Sequence, residues 1–356
     1  MKKLNFKKLL NKTFFTFALV TAAYAVVQIL GSFGMLSSSL KGQLIPICAY
    51  IVLAVSLNLL VGVCGELSLG HAGFMGIGAF AGIVLAALLK ESVPNEVARL
   101  ALAMVFGGVF AGLLGFLIGI PVLRLRGDYL AIVTLAFGEI IKSFVNNSYA
   151  CVTENGFKFA VATTKPEWAG GAKMIISGPL GATGSQKLST FTMGFVLILF
   201  TLFVVLNLIN SKEGRAIKAV RDNRIAAESV GINVTSFRMK AFVISAFLAG
   251  MAGALFGLNF SSLTASKFNF NTSINILVFV VLGGMGNILG SVISATVLYI
   301  LPEAMRGLED YRMILYAVVL IVVMLGTWSP KVKEFLSMAG LHVKSMLRRK
   351  EVGKHE

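Results

Sequence analysis

The run TFFTFALVTAAYAVVQILGSFGML, residues 13–36, decides the fold class, because it extends for about 24 residues without a charged side chain. A helix needs about 20 apolar residues to cross the hydrocarbon core of a bilayer. The preceding segment MKKLNFKKLLNK imitates the basic start of a signal peptide, and Ala23-Tyr24-Ala25 imitates a cleavage site. Since the apolar run continues past that site to Leu36, we predict an uncleaved first transmembrane helix.

Eight further apolar runs extend this prediction to the whole chain. Of the 356 residues, 56% are hydrophobic and 13% are charged, whereas a soluble globular protein carries about 25% charged residues. Only helices and closed barrels satisfy every backbone polar group in lipid, and these runs are too long and too uniformly apolar for barrel strands. The sequence therefore predicts an all-α fold, a polytopic membrane helical bundle that forms a single domain over residues 1–356. The eight runs cover residues 43–63, 70–89, 98–122, 128–147, 188–210, 239–260, 274–301 and 311–328.

The positive charge of the chain is concentrated beside these runs. The formal net charge is +16, and 19 of the 32 Lys and Arg residues lie in three segments, residues 2–12, 211–240 and 331–356. Basic segments that flank membrane spans stay in the cytoplasm. This distribution excludes nucleic acid as the partner and predicts a multi-pass protein of a bacterial or archaeal cytoplasmic membrane, with residues 331–356 as a basic cytoplasmic tail.

The parity of the spans predicts a hairpin late in the chain. If residues 2–12 lie inside, six spans place the basic segment 211–240 inside, but three more spans would place the basic C-terminus outside. The conflict disappears if residues 274–301 form two short helices of about 11 to 14 residues around the turn GGMGN, residues 283–287. We therefore expect about ten helical segments, including short broken helices, with both termini in the cytoplasm.

A charged amphipathic insert follows the sixth span. At 100° per residue, six small apolar residues between Glu213 and Val230 fall on one uncharged arc of about 120°. The insert is either one helix or two short helices, in which case Asp222-Asn223 caps the second and Gly231 ends it. It could rest on anionic lipid or dock into a groove of another protein. The six residues of the arc are Ala216, Ala219, Val220, Ala226, Ala227 and Val230.

Several blocks resemble a known family in order and spacing. GRAIKAVRDNRIAAESVGIN, residues 214–233, resembles the "EAA" loop of ABC-importer permeases, which docks into the ATPase subunit. NLLVGVCGELSLGHAGFMGIGAF (58–80), LRLRGDYLAIVTLAFGEIIK (123–142), AFVISAFLAGMAGALFG (241–257) and VLGGMGNILG (281–290) resemble branched-chain amino acid permeases of the LivM type. Three features depart from that family: Glu66 stands where Gln is common, Arg224 stands where an acidic or neutral residue is common, and the 148–187 loop keeps only Asn155-Gly156 of a Gly-Gly-x-Asn-Gly run.

The resemblance implies a type II importer-like fold with an inverted repeat, and a coupling loop over residues 211–238. It also implies that the chain works with two ABC ATPase subunits, a second homologous permease subunit, an extracytoplasmic solute-binding protein and membrane lipid. The residues implied in ATPase coupling are Arg215, Arg221, Arg224, Ala226, Ala227, Glu228 and Gly231.

The chain lacks a nucleotide-binding motif of its own. A P-loop requires G-x-x-x-x-G-K-[ST], and the nearest match, GATGSQKLS at residues 181–189, has Gln186 in place of the second glycine. The sequence also lacks a catalytic trio and metal-ligand spacing. We therefore expect no enzyme activity and no cofactor, with ATP bound by separate subunits.

Two glycine-rich blocks, GELSLGHAGFMGIG and LGGMGNILG, are the candidates for the substrate path, because transporters place broken helices there. Ionisable groups at membrane depth are further candidates, although Glu66 could be an exposed or capping residue, His71 a packing residue, and Glu139–Lys142 a local pair. The candidate path residues are Glu66, Ser68, His71, Gly76, Gly284 and Asn287.

The function we expect is a permease subunit of an ATP-driven importer that translocates leucine, isoleucine and valine. Urea, short amides and other hydrophobic amino acids are alternative substrates within the same family. An ion-coupled secondary transporter is the alternative from another class, although no acidic residue lies centrally in a span as an ion site would require.

Overall fold

The computed structural model describes residues 6–34, 37–125, 127–153, 156–162, 166, 173–305, 314, 317–318 and 321. Contacts between Cα atoms divide the chain into two units, Met1–Val297 and Leu298–Glu356. The described α-helices are α1 (Phe6–Ser32), α2 (Ser38–Asn58), α3 (His71–Leu88), α4 (Glu96–Val122), α5 (Asp128–Asn146), α6 (Phe191–Asn210), α7 (Lys212–Asp222), α8 (Arg224–Ser229), α9 (Val234–Gly257), α10 (Phe270–Gly283) and α11 (Ile288–Ala304).

The predicted polytopic helical bundle is confirmed. Within the described residues, seven helices are long and apolar enough to cross a membrane. The predicted span 128–147 is helical as α5, but it carries three charged residues and is not one of the seven. The predicted span 311–328 and the basic tail 331–356 lie outside the described residues, apart from four positions. The seven spans are Thr13–Ser32, Ser38–Cys64, His71–Leu88, Glu96–Val122, Phe191–Asn210, Val234–Gly257 and Ala265–Gly283.

Small residues hold α9 at the centre of the bundle. α9 packs against α2, α3 and α4, and a Cβ atom added to Gly250 of α9 would lie 2.5 Å from the carbonyl oxygen of Gly107 on α4. A Cβ atom on Gly115 would lie 2.7 Å from that of Ala246, and one on Gly119 would lie 2.7 Å from the sulfur of Met239. These small residues therefore allow close helix packing, which drives helix association in lipid, where the hydrophobic effect does not act between helices.

The described chain also contains a small antiparallel sheet, which the all-α prediction did not include. Four of its five strands lie in the 148–187 loop. Its strands are β1 (Ser148–Thr153), β2 (Gly156–Val161), β3 (Lys173–Ser177), β4 (Ala182–Thr183) and β5 (Ser262–Leu263), in the order β2-β1-β3-β4-β5. Two residues separate β1 from β2, and Gly156 has φ +108. Asn-Gly between runs rich in Val and Phe is a hairpin signal, so Asn155-Gly156 could have predicted these strands.

The predicted hairpin at GGMGN is confirmed. α10 ends at Gly283, α11 begins at Ile288, and Gly284 and Gly286 have φ of +90 and +83. Those left-handed values suit glycine alone among common residues. α10 has 14 residues as expected, whereas α11 has 17 and exceeds the predicted length.

Candidate functional site

The charged insert consists of two short helices. Asn223, between α7 and α8, has the extended backbone φ −155, ψ 106, which interrupts the helix. Its side-chain oxygen accepts a hydrogen bond from the backbone N–H of Ala226 at 3.0 Å, and so caps α8. Of the two arrangements that the sequence leaves open, the structure has the pair of helices.

Gly231 ends the insert as predicted. Its φ is +83, and its N–H donates to the carbonyl of Glu228 while the N–H of Ile232 donates to that of Ala227, both at 3.0 Å. These bonds satisfy carbonyl groups that the end of a helix leaves unpaired, which is the usual function of a left-handed glycine cap.

The single apolar arc predicted for the insert is wrong. Val220 and Ala227 are buried inside the chain, where they pack with Val234, whereas Val230 is 74% exposed. The arc assumed one continuous helix, and the extended backbone of Asn223 changes the direction of α8. The apolar residues that α8 and its end present to solvent are Ile225, Ala226 and Val230.

The remaining charged residues of the insert lie mostly on its surface. Arg215 is exposed, and Arg224 pairs with Glu228 one turn later at 3.0 Å. Lys218 is half-buried and donates to the carbonyl of Ile209 at 3.3 Å. Burial lowers the pKa of the Lys218 ammonium, and the positive charge of Arg221 lowers it further.

Arg221 turns from the insert toward the membrane helices. Its Nη1 donates to the carbonyl oxygen of Gly62 at 2.6 Å. Gly62 belongs to a π-helical segment, Leu59–Cys64, that follows α2. The next residue, Gly65, has φ +80, and a Cβ atom there would lie 2.5 Å from Cγ of Arg221. The break after α2 therefore makes room for the arginine.

Asn58 joins this break to the late glycine-rich turn. Its Oδ1 accepts from the N–H of Gly286 at 2.7 Å, and its Nδ2 donates to the carbonyl of Asn287 at 3.1 Å and to Oγ of Ser291 at 2.7 Å. A Cβ atom on Gly286 would lie 3.3 Å from the carbonyl oxygen of Gly62. The break after α2 and the late glycine-rich turn, which lie more than 200 residues apart, therefore meet at one point.

Glu66 is one half of an inward-facing ion pair. Its Oε1 lies 2.5 Å from Nε of Arg238, without hydrogen-bond alignment, and the Arg238 side chain is only 3% exposed. The same guanidinium donates to the carbonyls of Leu123 and Leu125 at 3.0 and 3.5 Å. The arrangement joins the loop before α3, the end of α4 and the start of α9.

The other early candidates are buried. His71 Nε2 lies 2.8 Å from Oγ of Ser56, so its ring is held by a local partner. Ser68 is buried, and its hydroxyl has no hydrogen-bond partner within the described part of the chain. A Cβ atom on Gly76 would lie 3.0 Å from the Phe268 ring. These three residues lie in the interior of the bundle, but they do not surround one common point.

Three residues that make contacts between distant segments were not predicted from the sequence. Asn58 and Gly62 lie inside the apolar run 43–63, where a fully buried asparagine is itself a signal of a polar partner. Arg238 was counted only as one of seven basic residues in its segment. The described residues hold no group of three or more His, Cys, Asp or Glu that could bind a metal ion.

Comparison with known proteins identifies the family. The family "Branched-chain amino acid transport system / permease component" matches residues 40–324. The chain belongs to this family. It is therefore a membrane permease, and its insert, its early break and its late turn are connected within one permease subunit.

Named relatives agree with the family match. The chain is 33% identical over 296 residues to the "High-affinity branched-chain amino acid transport system permease protein LivM" of Salmonella typhimurium, covering 79% of this chain and 67% of the relative. Identity to LivM of Escherichia coli is 33% over 294 residues, with the same coverage. The permease protein LivH of Escherichia coli is 24% identical over 281 residues, which is 78% of this chain and 88% of LivH. No solved structure gives a significant match.

Proposed function

We propose that this permease is the membrane-spanning subunit of an ATP-driven importer that translocates leucine, isoleucine and valine delivered by an extracytoplasmic binding protein. The observation that carries the proposal is the family match over residues 40–324, together with two LivM relatives at 33% identity. The relatives' names support branched-chain amino acids over urea, short amides or other hydrophobic amino acids.

ATP hydrolysis belongs to two separate ABC ATPase subunits in this proposal, and the chain itself needs no cofactor and catalyses no reaction. The insert α7–α8 is where they dock. Ile225 is 80% exposed and Val230 is 74% exposed on a short helix surrounded by charge. Apolar side chains on an exposed amphipathic helix suit a groove on a partner. Arg215, Arg224 and Glu228 supply the charged rim.

A second, homologous permease completes the membrane domain, as the similarity of the chain to both LivM and LivH supports. The insert lies on the cytoplasmic side, together with the break after α2, to which the bond from Arg221 to Gly62 connects it. The five-stranded sheet lies on the extracytoplasmic side, and both termini are cytoplasmic.

Substrate passes beside the two glycine blocks, residues 65–78 and 283–290. Both interrupt helices and therefore need partners other than lipid for their backbone groups. Asn58 supplies such a partner to Gly286 of the late block, and Arg221 bonds Gly62, which lies just before the early block. A displacement of the insert would therefore act directly on the path, because no other element lies between them.

Pull-down of the ATPases tests the docking face. The double variant Ile225→Asp with Val230→Asp should lose ATPase binding and ATP-driven leucine uptake, while the chain still inserts and retains its permease partner. Ala227→Glu is the contrasting variant: Ala227 is buried inside the chain, so a charge there should reduce the yield of folded permease. Full ATPase recovery by the folded double variant would contradict the proposed docking face.

Uptake into vesicles separates the two transporter classes. Vesicles that contain both permeases, the ATPases and the binding protein should accumulate leucine only with ATP. Accumulation driven by a proton or sodium gradient without the ATPases would establish the secondary transporter instead. Competition with valine, urea and acetamide would identify the substrate class.

A further inference from the structure

A cavity of about 450 Å³ lies between the end of α3 and the small sheet. It is separate from the junction at Asn58, and neither the glycine blocks nor the insert contribute to it. Its volume is within the range of about 300 to 1,000 Å³ typical of small-molecule sites. The residues that line it are Ile83, Ala86, Ala87, Leu88, Lys90, Glu91, Val152, Met174, Ile175, Thr183, Gly184, Ser185, Gln186, Leu188 and Leu258.

The cavity has an aliphatic wall and a charged rim. Ile83, Ile175 and Leu258 are buried side chains of three different elements that face it. Lys90 and Glu91 are neighbours in the turn after α3, and both are exposed. Neither forms an ion pair with any residue that the structure describes. One cation and one anion thus lie side by side above apolar surface.

A buried arginine holds this rim in place. Arg99 is 3% exposed; its Nη2 donates to Oε1 of Gln186 at 3.0 Å and its Nη1 to the carbonyl of Lys90 at 3.5 Å. Nε2 of Gln186 in turn donates to Oε1 of Glu96 at 3.3 Å. Arg99 therefore ties the turn after α3 to the strand region, and adds positive charge on the side of Lys90.

We propose that this cavity binds an aliphatic α-amino acid. The carboxylate of the ligand pairs with Lys90, its ammonium group pairs with Glu91, and its branched side chain packs on the wall formed by Ile83, Ile175 and Leu258. The two charges and the aliphatic wall of the cavity match a compact zwitterion with an apolar body. Neither urea nor a neutral amide has these groups. The inference rests on the proposed function for its substrate class, and it adds a binding site within the permease, apart from the glycine blocks.

Direct binding of leucine to the purified pair of permeases, without binding protein, tests the site. Three probes divide the ligand into its groups: L-leucine, 4-methylpentanoate, which lacks the ammonium, and 3-methylbutylamine, which lacks the carboxylate. Lys90→Met should weaken leucine about three- to tenfold, the range for a partly exposed charge-assisted contact, and should leave 3-methylbutylamine unchanged. Glu91→Gln should weaken leucine to a similar extent and leave 4-methylpentanoate unchanged.

Two more variants complete the experiment. Ala87→Trp fills the cavity and should abolish binding of all three probes, whereas Lys41→Met removes a lysine outside the cavity and should change nothing. If leucine does not bind, or if both charge variants weaken every probe equally, the inference is wrong. ATP-driven leucine uptake by the same preparation distinguishes failure of this inference from failure of the proposed function. Uptake without cavity binding leaves the proposed function intact, and absence of uptake counts against that function.

Discussion

Nη1 of Arg221 lies 2.6 Å from the carbonyl oxygen of Gly62, which joins the charged insert directly to the break after α2. A π-helical turn shifts its hydrogen bonds to the fifth residue and is frequent at functional sites. The donor is charged, the acceptor is a backbone group, and Gly65 leaves space for the arginine stem. A displacement of α7 must therefore either move the break or lose this bond.

Arg221→Met should uncouple the ATPases from translocation. Loss of a hydrogen bond from a charged donor costs about 1.5 to 3 kcal/mol, so we expect leucine uptake to fall roughly tenfold or more while the ATPases still co-purify. Uptake and ATP hydrolysis would be measured on the same vesicles, because the ratio of the two reports coupling.

Lys212→Met is the matched control for that experiment. It removes an exposed positive charge from the same helix, at a position outside the proposed docking rim. We expect nearly normal uptake. Equal losses in the two variants would show that the overall charge of the insert, and not the bond to Gly62, determines transport.

Arg238→Met should destabilise the permease more than Glu66→Gln. Removing the arginine leaves the little-exposed Glu66 carboxylate and the carbonyls of Leu123 and Leu125 without their partner. Breaking a buried ion pair in this way costs about 3 to 5 kcal/mol. Glu66→Gln leaves Arg238 bonded to Leu123 and Leu125. Thermal unfolding in detergent should rank the variants in this order; the reverse order would show that Glu66 dominates the pair.

Asn58→Leu should loosen the late turn. The asparagine is fully buried and serves three partners around Gly286, Asn287 and Ser291, and each buried group left unpaired costs about 1 to 3 kcal/mol. A cysteine placed at exposed Met285 should react faster with a thiol reagent in the Asn58→Leu background. An unchanged rate would mean that α10 and α11 hold the turn without Asn58.

Gly231→Val should weaken the insert, whereas Gly231→Asn should be tolerated. Apart from its chain neighbours, no atom of the described residues lies within 4 Å of a Cβ atom built on Gly231, so the cost arises from the left-handed backbone alone. That conformation costs roughly 1 to 2 kcal/mol for an ordinary L-residue, and asparagine adopts it more readily. Protease sensitivity of the insert would measure the effect, and equal sensitivity of both variants would contradict it.

Cysteines at Thr183 and Val230 should react with impermeant reagents from opposite sides of the membrane. Both positions are exposed, and the basic residues of the insert predict that Val230 faces the cytoplasm. Labelling of both from the same side would overturn the orientation.

Periodicity and charge predicted most of the bundle, because the bilayer imposes one solution on a long apolar run. The hairpin at GGMGN followed from counting spans, and the cap at Gly231 followed from residue type. Span counting uses only apolar length and basic residues, and the cap uses one residue type, so neither requires knowledge of contacts between distant segments.

The parts that the sequence did not predict depend on contacts between distant segments. The phase of α8 changes at Asn223, so Ala226 and Val230 face solvent, although a continuous helix would place them on one arc with the buried Val220. The bond from Arg221 to Gly62 joins residues 159 positions apart, and no local pattern encodes such a pairing. The β1–β2 hairpin was predictable from Asn155-Gly156, but the pairing of β4 with β5 was not.

Strand β5 pairs Leu263 with Ala182 and Ser262 with Thr183, and so fastens the segment between α9 and α10 to the one between α5 and α6. Helices fixed to each other at one end can separate only at the other. A displacement of the insert would then rotate the helices about the sheet. The largest movement would occur where Gly62 meets Gly286. The sheet would be the pivot, and a disulfide between cysteines at Thr183 and Ser262, which pair across β4 and β5, should preserve transport.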